Sequence, residues 1–184
     1  HSGLVIGGTL LVAIVAIALA APLIAPHDPY NQDLAHRLIP PVWQAKGSWE
    51  HALGTDKLGR DYLSRLIFGA RISLLIGTLT VLISGTIGTV IGVCAGYFGG
   101  KVDAVLSYVV TTRLALPVVL VALASAALVG SSLEGVIVVL GLLLWDRFAV
   151  VTRSATQQVA RSDYVAAAQA IGCSTLRILA SEIL

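Results

Sequence analysis

From Ile72 to Phe98 the chain carries no Asp, Glu, Lys or Arg. About 20 apolar residues in a helix cross a hydrocarbon core of about 30 Å. Backbone groups in hydrocarbon have no water to bond, and a helix satisfies them within the run itself. Leu4 to Ala25 is equally uncharged. A third run, Leu114 to Leu133, lies between Arg113 and Glu134, and its helix is expected to begin near Asp103. A fourth, Gly135 to Trp145, spans only by carrying Asp146 and Arg147 at its end. The sequence is 57% hydrophobic and 12% charged, where soluble domains carry about 25% charged residues. The expected fold is an all-α, polytopic transmembrane helix bundle with about four spans.

The first run is too long for a signal-peptide core and no small-residue cleavage site leads from it into a soluble domain. The sequence starts at His1, contains no Met and stops inside an apolar helical pattern, so it is expected to be part of a longer chain. Three regions follow: residues 1–26, the first span; 27–71, a polar loop with an interfacial helix; and 72–184, a core with spans two to four. Within the second run, Ser84, Gly88, Gly92, Gly96 and Gly100 recur every four residues. Small residues at that spacing form a smooth ridge against which another helix backbone can lie closely.

The loop, His27 to Arg71, holds Pro26, Pro29, Pro40 and Pro41 at or near its first half, and these break any helix there. In "GTDKLGRD", Gly54 and Gly59 have phosphate-loop spacing, but Arg60 and Asp61 stand where that loop needs Lys and a magnesium-binding hydroxyl. The glycines are therefore expected to be turn glycines. From Asp61 onward, Leu63, Leu66, Ile67 and Ala70 recur at helical spacing opposite Arg60, Ser64 and Arg65. That pattern predicts a short amphipathic helix in the membrane interface, with an Asp61–Arg65 pair and with Thr55 or Asp56 capping the preceding turn.

A net charge of +2, with the basic residues scattered, does not make a nucleic-acid-binding face. Cys94 and Cys173 offer neither a disulfide framework nor metal spacing. His27, His36 and His51 lack ligand-like spacing, so no metal site is expected. No nucleophile elbow, paired acids or other catalytic pattern occurs, and no catalytic residue is expected. The uncharged interiors of the two clearest spans argue against a self-contained channel or secondary transporter, which buries ionisable residues there.

Two stretches resemble one family. "HALGTDKLGRDYLSRLIFGARISL", His51 to Leu74, is similar nearly letter for letter to a segment of the permease subunits of ATP-binding-cassette importers for dipeptides, oligopeptides and nickel. "DYVAAAQAIGCSTLRI", Asp163 to Ile178, resembles the cytoplasmic E-A-A-x-x-x-G loop of those permeases, and Trp145 and Arg153 match its approach. The resemblance implies the type I importer permease fold with six spans, of which this chain would hold about four. It further implies a multi-pass subunit of the inner (plasma) membrane, in contact with lipid. The implied partners are a second homologous permease, two ATPase subunits and an extracytoplasmic substrate-binding protein. ATP and Mg would be bound by the ATPases, with no cofactor in this chain. Peptides are the implied substrate, with nickel as the alternative.

Asp163, Tyr164, Ala166, Ala167, Ala168 and Gly172 are then the ATPase-coupling residues. The run Ala166, Ala167, Ala168 and Ala170 makes a thin, strongly helical surface suited to a groove. Asp163 is expected to cap this helix, Gly172 to stop it in a left-handed conformation, and Ser174 or Thr175 to start the next. The family's Glu is Ala166 here; a Glu there would complete a capping box with Asp163. Relatives often carry a Met-Arg pair and an Asp where this chain has Ser107, Tyr108 and Thr111. Arg113 and Pro117 are the candidate pathway residues: Arg113 either snorkels from the helix end or lines the pathway, and Pro117 is expected to kink its helix. Basic residues do not decide orientation, with six in the 27–71 loop against two plus four in 101–113 and 147–177. The resemblance places the first loop outside and 146–177 inside.

Overall fold

The computed structural model describes residues 2–130 and 132–183. His1, Ser131 and Leu184, which close the expected regions or fall inside the third run, lie outside the described residues. Helices and loops make up the described residues, with one isolated bridge, Thr55 to Asp61, and no strand among them. The chain forms two compact units, the first ending at Ile76 and the second beginning at Gly77.

In the first unit, helix α1 spans Ser2–Ile24. Even its polar side chain is satisfied internally, Thr9 Oγ1 donating to the Val5 carbonyl at 2.8 Å. Leu4 and Leu23 are 80% and 88% exposed, a surface that suits lipid. Two 3₁₀ turns follow in the loop, Leu34–His36 capped by Asp33 and Trp49–His51 capped by Ser48. Gly54 and Gly59 are turn glycines, with φ of +80° and +75°. A Cβ on Gly59 would lie 1.7 Å from the Asp33 carbonyl oxygen, so no other residue fits there without rebuilding the loop.

Asp56 organises the turn between these glycines. Its Oδ1 accepts the Leu58 and Arg60 N–H groups at 2.8 and 3.0 Å, and Oδ2 accepts Arg60 Nε at 2.8 Å. Burial pushes this carboxyl up, but Arg60 and the backbone N–H groups outweigh it and hold the pKa at about 2. Arg65 also donates to Asp56 rather than pairing with Asp61 as the spacing predicts. Asp61 is instead the cap of the next helix, its Oδ2 accepting the Ser64 N–H at 2.7 Å.

That helix, α2, runs unbroken over Tyr62–Phe98, so the expected interfacial helix and second span are one element. Leu63, Leu66, Ile67 and Ala70 face an apolar hollow shared with Ile14 and Ile17 of α1. Ser64, expected on the outer side, is fully buried because its hydroxyl accepts the His27 N–H at 3.0 Å.

The second unit contains the rest of α2 and helices α3 (Gly100–Ala115), α4 (Val118–Val129), α5 (Leu133–Leu143) and α6 (Trp145–Val159). The expected third span is thus divided at Leu116 and Pro117. Proline has no N–H to donate and disfavours helix at the residue before it, and Leu116 is extended with ψ of 128°. Neither α3 nor α4 alone matches the length of a span. The expected fourth span is α5 continued by α6 across Leu144, together 27 residues and apolar enough to cross. With α1 and α2, three helices among the described residues are long and apolar enough to span a membrane. Helices α7 (Asp163–Ala170) and α8 (Thr175–Ile178) follow, and Leu179–Ile183 form a π turn.

Candidate functional site

Helix α7 is short, exposed and closed at both ends. Its N-cap is Ser162, with extended backbone and no side-chain capping bond, so Asp163 is the first helical residue rather than the cap. There its carboxylate favours the positive end of the helix dipole. The shift by one residue also moves the capping-box partner to Val165, which is fully buried. A Glu at Ala166 would not complete the box with Asp163, contrary to the sequence expectation.

At the other end Gly172 has φ of +79°. The Cys173 N–H donates to the Ala168 carbonyl and the Gly172 N–H to the Gln169 carbonyl, both at 3.0 Å. These two bonds form a Schellman stop. Ser174 then stands at the N-cap of α8 and Thr175 begins it. Between the two ends Tyr164, Ala166, Ala167, Ala170 and Ile171 are exposed and Ala168 half-buried, with Ile171 81% exposed. Val165 anchors the helix inward, and Gln169 Nε2 donates to Tyr97 Oη at 3.3 Å. The outer face carries the exposed alanines between the larger Tyr164 and Ile171, and it is uncharged beyond Asp163.

The α6 helix leads into α7 through residues 160–162 and lies against the glycine ridge of α2. A Cβ on Gly88 would come 2.3 Å from the Trp145 carbonyl oxygen, and one on Gly96 would come 2.8 Å from that of Arg153. At Gly92 the nearest atoms would be Thr152 Oγ1 at 1.9 Å and the Ala149 carbonyl oxygen at 2.6 Å. Ser84 is buried, its hydroxyl donating to the Thr80 carbonyl at 2.7 Å. Gly100 departs from the expected ridge. The α2 helix ends at Phe98, and Gly100 opens α3 with φ of +50° and nothing within 4 Å of where a Cβ would stand.

A second tie holds α6 to α3, and sequence reasoning missed it. Arg153 Nη2 donates to Asp103 Oδ2 at 2.7 Å while Arg153 Nε donates to Oδ1, a two-pronged pair. Ser107 Oγ and Gln157 Nε2 donate to the same carboxylate at 3.0 and 3.2 Å. Fifty positions separate the partners, so no local spacing announces them. Removing one member of a buried pair costs about 3–5 kcal/mol; both side chains here are partly exposed, so about 2–3 kcal/mol is expected for Arg153→Leu. The double variant Asp103→Ser with Arg153→Leu should recover most of that loss in thermal unfolding in detergent. Additive losses would show that the pair contributes no coupling.

Arg113 neither snorkels freely nor stands alone. It is half-buried and its Nη2 donates to the Leu143 carbonyl, the last of α5, at 2.5 Å. A helix end leaves such carbonyls unpartnered, and a cation there also suits the dipole. Pro117 is exposed between α3 and α4 and does not reach this contact. Ser107 and Thr111 line a cavity of about 130 Å³ together with Gly92, Leu106, Val110 and Arg153. Tyr108 points elsewhere and is 73% exposed.

Comparison with known proteins identifies the family. Residues 88–184 match the family described as binding-protein-dependent transport system inner membrane component, and residues 1–41 match the N-terminal TM domain of oligopeptide transport permease C. The dipeptide transport system permease protein of Haemophilus influenzae is 34% identical over 184 residues, covering 100% of this chain and 62% of that protein. The di/tripeptide transport system permease protein of Pseudomonas aeruginosa is 38% identical over 180 residues, 97% of this chain and 59% of its own length. The dipeptide transport system permease protein of Escherichia coli K12 is 41% identical over 177 residues, 96% and 59% respectively. The chain spans about three fifths of these relatives. A family match over more than half of the chain, with three helices among the described residues long and apolar enough to cross a membrane, makes this an α-helical membrane protein that belongs to the binding-protein-dependent transport system inner membrane components.

Proposed function

We propose that the chain is part of the membrane-spanning permease subunit of an ATP-driven importer of di- or oligopeptides, coupled to a separate ATPase through residues 163–172. The observation that carries this reading is α7: eight residues closed by a Schellman stop, with exposed alanines between Tyr164 and Ile171. A groove on a partner protein receives such a helix by shape, because alanines let its backbone approach closely. Peptide transport is supported by the names of the relatives, which concern dipeptides and tripeptides.

In this reading the chain supplies no catalytic residue. ATP and Mg are bound by two ATPase subunits, a second related permease completes the pathway, and an extracytoplasmic binding protein delivers the peptide. Closure of the ATPases draws the coupling helices together and switches the bundle between inward-open and outward-open states. Asp163, Tyr164, Ala166, Ala167 and Ala168 form the docking face and Gly172 ends it. The test is to tag the complete protein, extract it in mild detergent and identify what copurifies by mass spectrometry. A second permease and one or two ATPases are the expected companions. Repeated recovery of the chain by itself would overturn the coupling role and bring forward a self-contained transporter.

A further inference from the structure

Three side chains from separate parts of the first unit converge ahead of α2. His27 follows α1, His51 ends a 3₁₀ turn, and Asp61 caps α2. Asp61 divides its oxygens: Oδ2 serves the cap, while Oδ1 accepts from His51 Nδ1 at 3.0 Å and lies 3.9 Å from His27 Nδ1. The two imidazoles stand 4.8 Å apart between ring centres. Asp61 and His51 side chains are only 1% and 12% exposed. His27 is held by its own N–H on Ser64 Oγ, and its Nδ1 is buried without a hydrogen-bond partner among the described residues.

A buried ring nitrogen with no partner is costly and calls for an explanation. We propose that His27, His51 and Asp61 form a binding site for a first-row divalent cation of the zinc type. One ligand atom from each of the three lies within 4.8 Å of the other two. A tetrahedral ion with bonds of about 2.1 Å sets its ligand atoms about 3.4 Å apart. The Asp61 distances of 3.0 and 3.9 Å bracket that spacing, and the widest separation in the set, up to 4.8 Å, closes to it by a shift of about 1.4 Å. Two imidazoles with one carboxylate suit Zn, Ni or Cu, whereas Mg and Ca prefer oxygen ligands throughout.

Three protein ligands leave a fourth position for water or a solute. His27 also lines an open hollow of about 500 Å³ with Pro22, Pro26, Asp28, Tyr30 and Phe68, which gives an ion a way in. On binding, His51 carries its proton on Nε2 and presents Nδ1 to the metal. Ser64 supports the site from behind: its hydroxyl accepts the His27 backbone N–H, and its own backbone N–H donates to Asp61 Oδ2. The ion would clip the end of α1, the loop and the start of α2 together.

The test uses the full chain in detergent micelles, stripped with chelator and titrated with Zn²⁺ in a calorimeter. One Zn²⁺ per chain is expected. Ser64→Ala should weaken it about 10-fold, as loss of an outer-shell partner does, and His27→Ala or His51→Ala by more than about 100-fold. His36→Ala should leave the affinity unchanged, since His36 turns away to Asp33 at 2.6 Å. Neither His27 nor His51 side chain caps α2, so metal-free helical content by circular dichroism should match the wild type in both variants. Absence of stoichiometric binding, or wild-type affinity in the double variant His27→Ala with His51→Ala, would overturn the proposal.

Discussion

Gly92→Leu is expected to destabilise the second unit by about 3 kcal/mol or more, a large part of the total stability of a typical domain. The first atom of the new side chain would stand 1.9 Å from Thr152 Oγ1, 2.6 Å from the Ala149 carbonyl oxygen and 2.9 Å from the Arg153 nitrogen. Two of those three are backbone, which cannot rotate away. The α2 and α6 helices would have to part, and Thr152 Oγ1 would lose its 3.3 Å approach to the Gly88 carbonyl. Moving α6 would also strain the Arg153–Asp103 pair. Gly85→Ala is the control. Its Cβ would meet only Phe148 ring carbons, at 3.8 Å and 4.0 Å, so it should be neutral or gain up to about 1 kcal/mol from helix propensity. Thermal unfolding of both variants in detergent checks the contrast. Equal midpoints would mean that the ridge does not hold the helices together.

Ala167→Asp should abolish uptake while membrane levels stay normal. Ala167 is exposed on α7, so within this chain the change is a surface substitution worth about 0.5 kcal/mol, plus up to about 0.7 kcal/mol of helix propensity. In the proposed groove the same carboxylate would be stripped of water without a partner, at a cost of several kcal/mol. Fold and coupling therefore separate at this residue. Val165→Asp does not separate them, because Val165 is fully buried and its loss should remove the protein from the membrane. Immunoblotting of membranes beside an uptake assay reads both effects. Normal uptake by Ala167→Asp would reject the docking face.

The first, second and fourth spans were legible because lipid imposes a length and forbids charge, both visible in one dimension; the third is divided at Leu116 and Pro117. Gly54, Gly59 and Gly172 were legible too, since a left-handed turn selects glycine locally. What escaped the sequence lies in pairings across distance. Nothing near Asp103 points to Arg153, and nothing near His27 points to Asp61. Local rules also misplaced partners by small steps: Arg65 was expected on Asp61 and bonds Asp56, and the α7 cap was expected at Asp163 and falls on Ser162. The contact of Arg113 with Leu143 was not legible because the carbonyl that it meets lies at the break at Leu144.

The connection between α6 and α7 has a mechanical consequence. Three residues, 160–162, join the two helices, a tether of at most about 10 Å even when drawn straight. It is not drawn straight: the Ala160 N–H donates to Thr156 at 2.8 Å and the Ser162 N–H to Val159 at 3.0 Å. The joint therefore behaves as a stiff bracket with little slack. Any force that shifts α7 by a few ångströms bears on the end of α6, and because α6 lies close against the α2 backbone at Gly88, Gly92 and Gly96, the load passes on to α2.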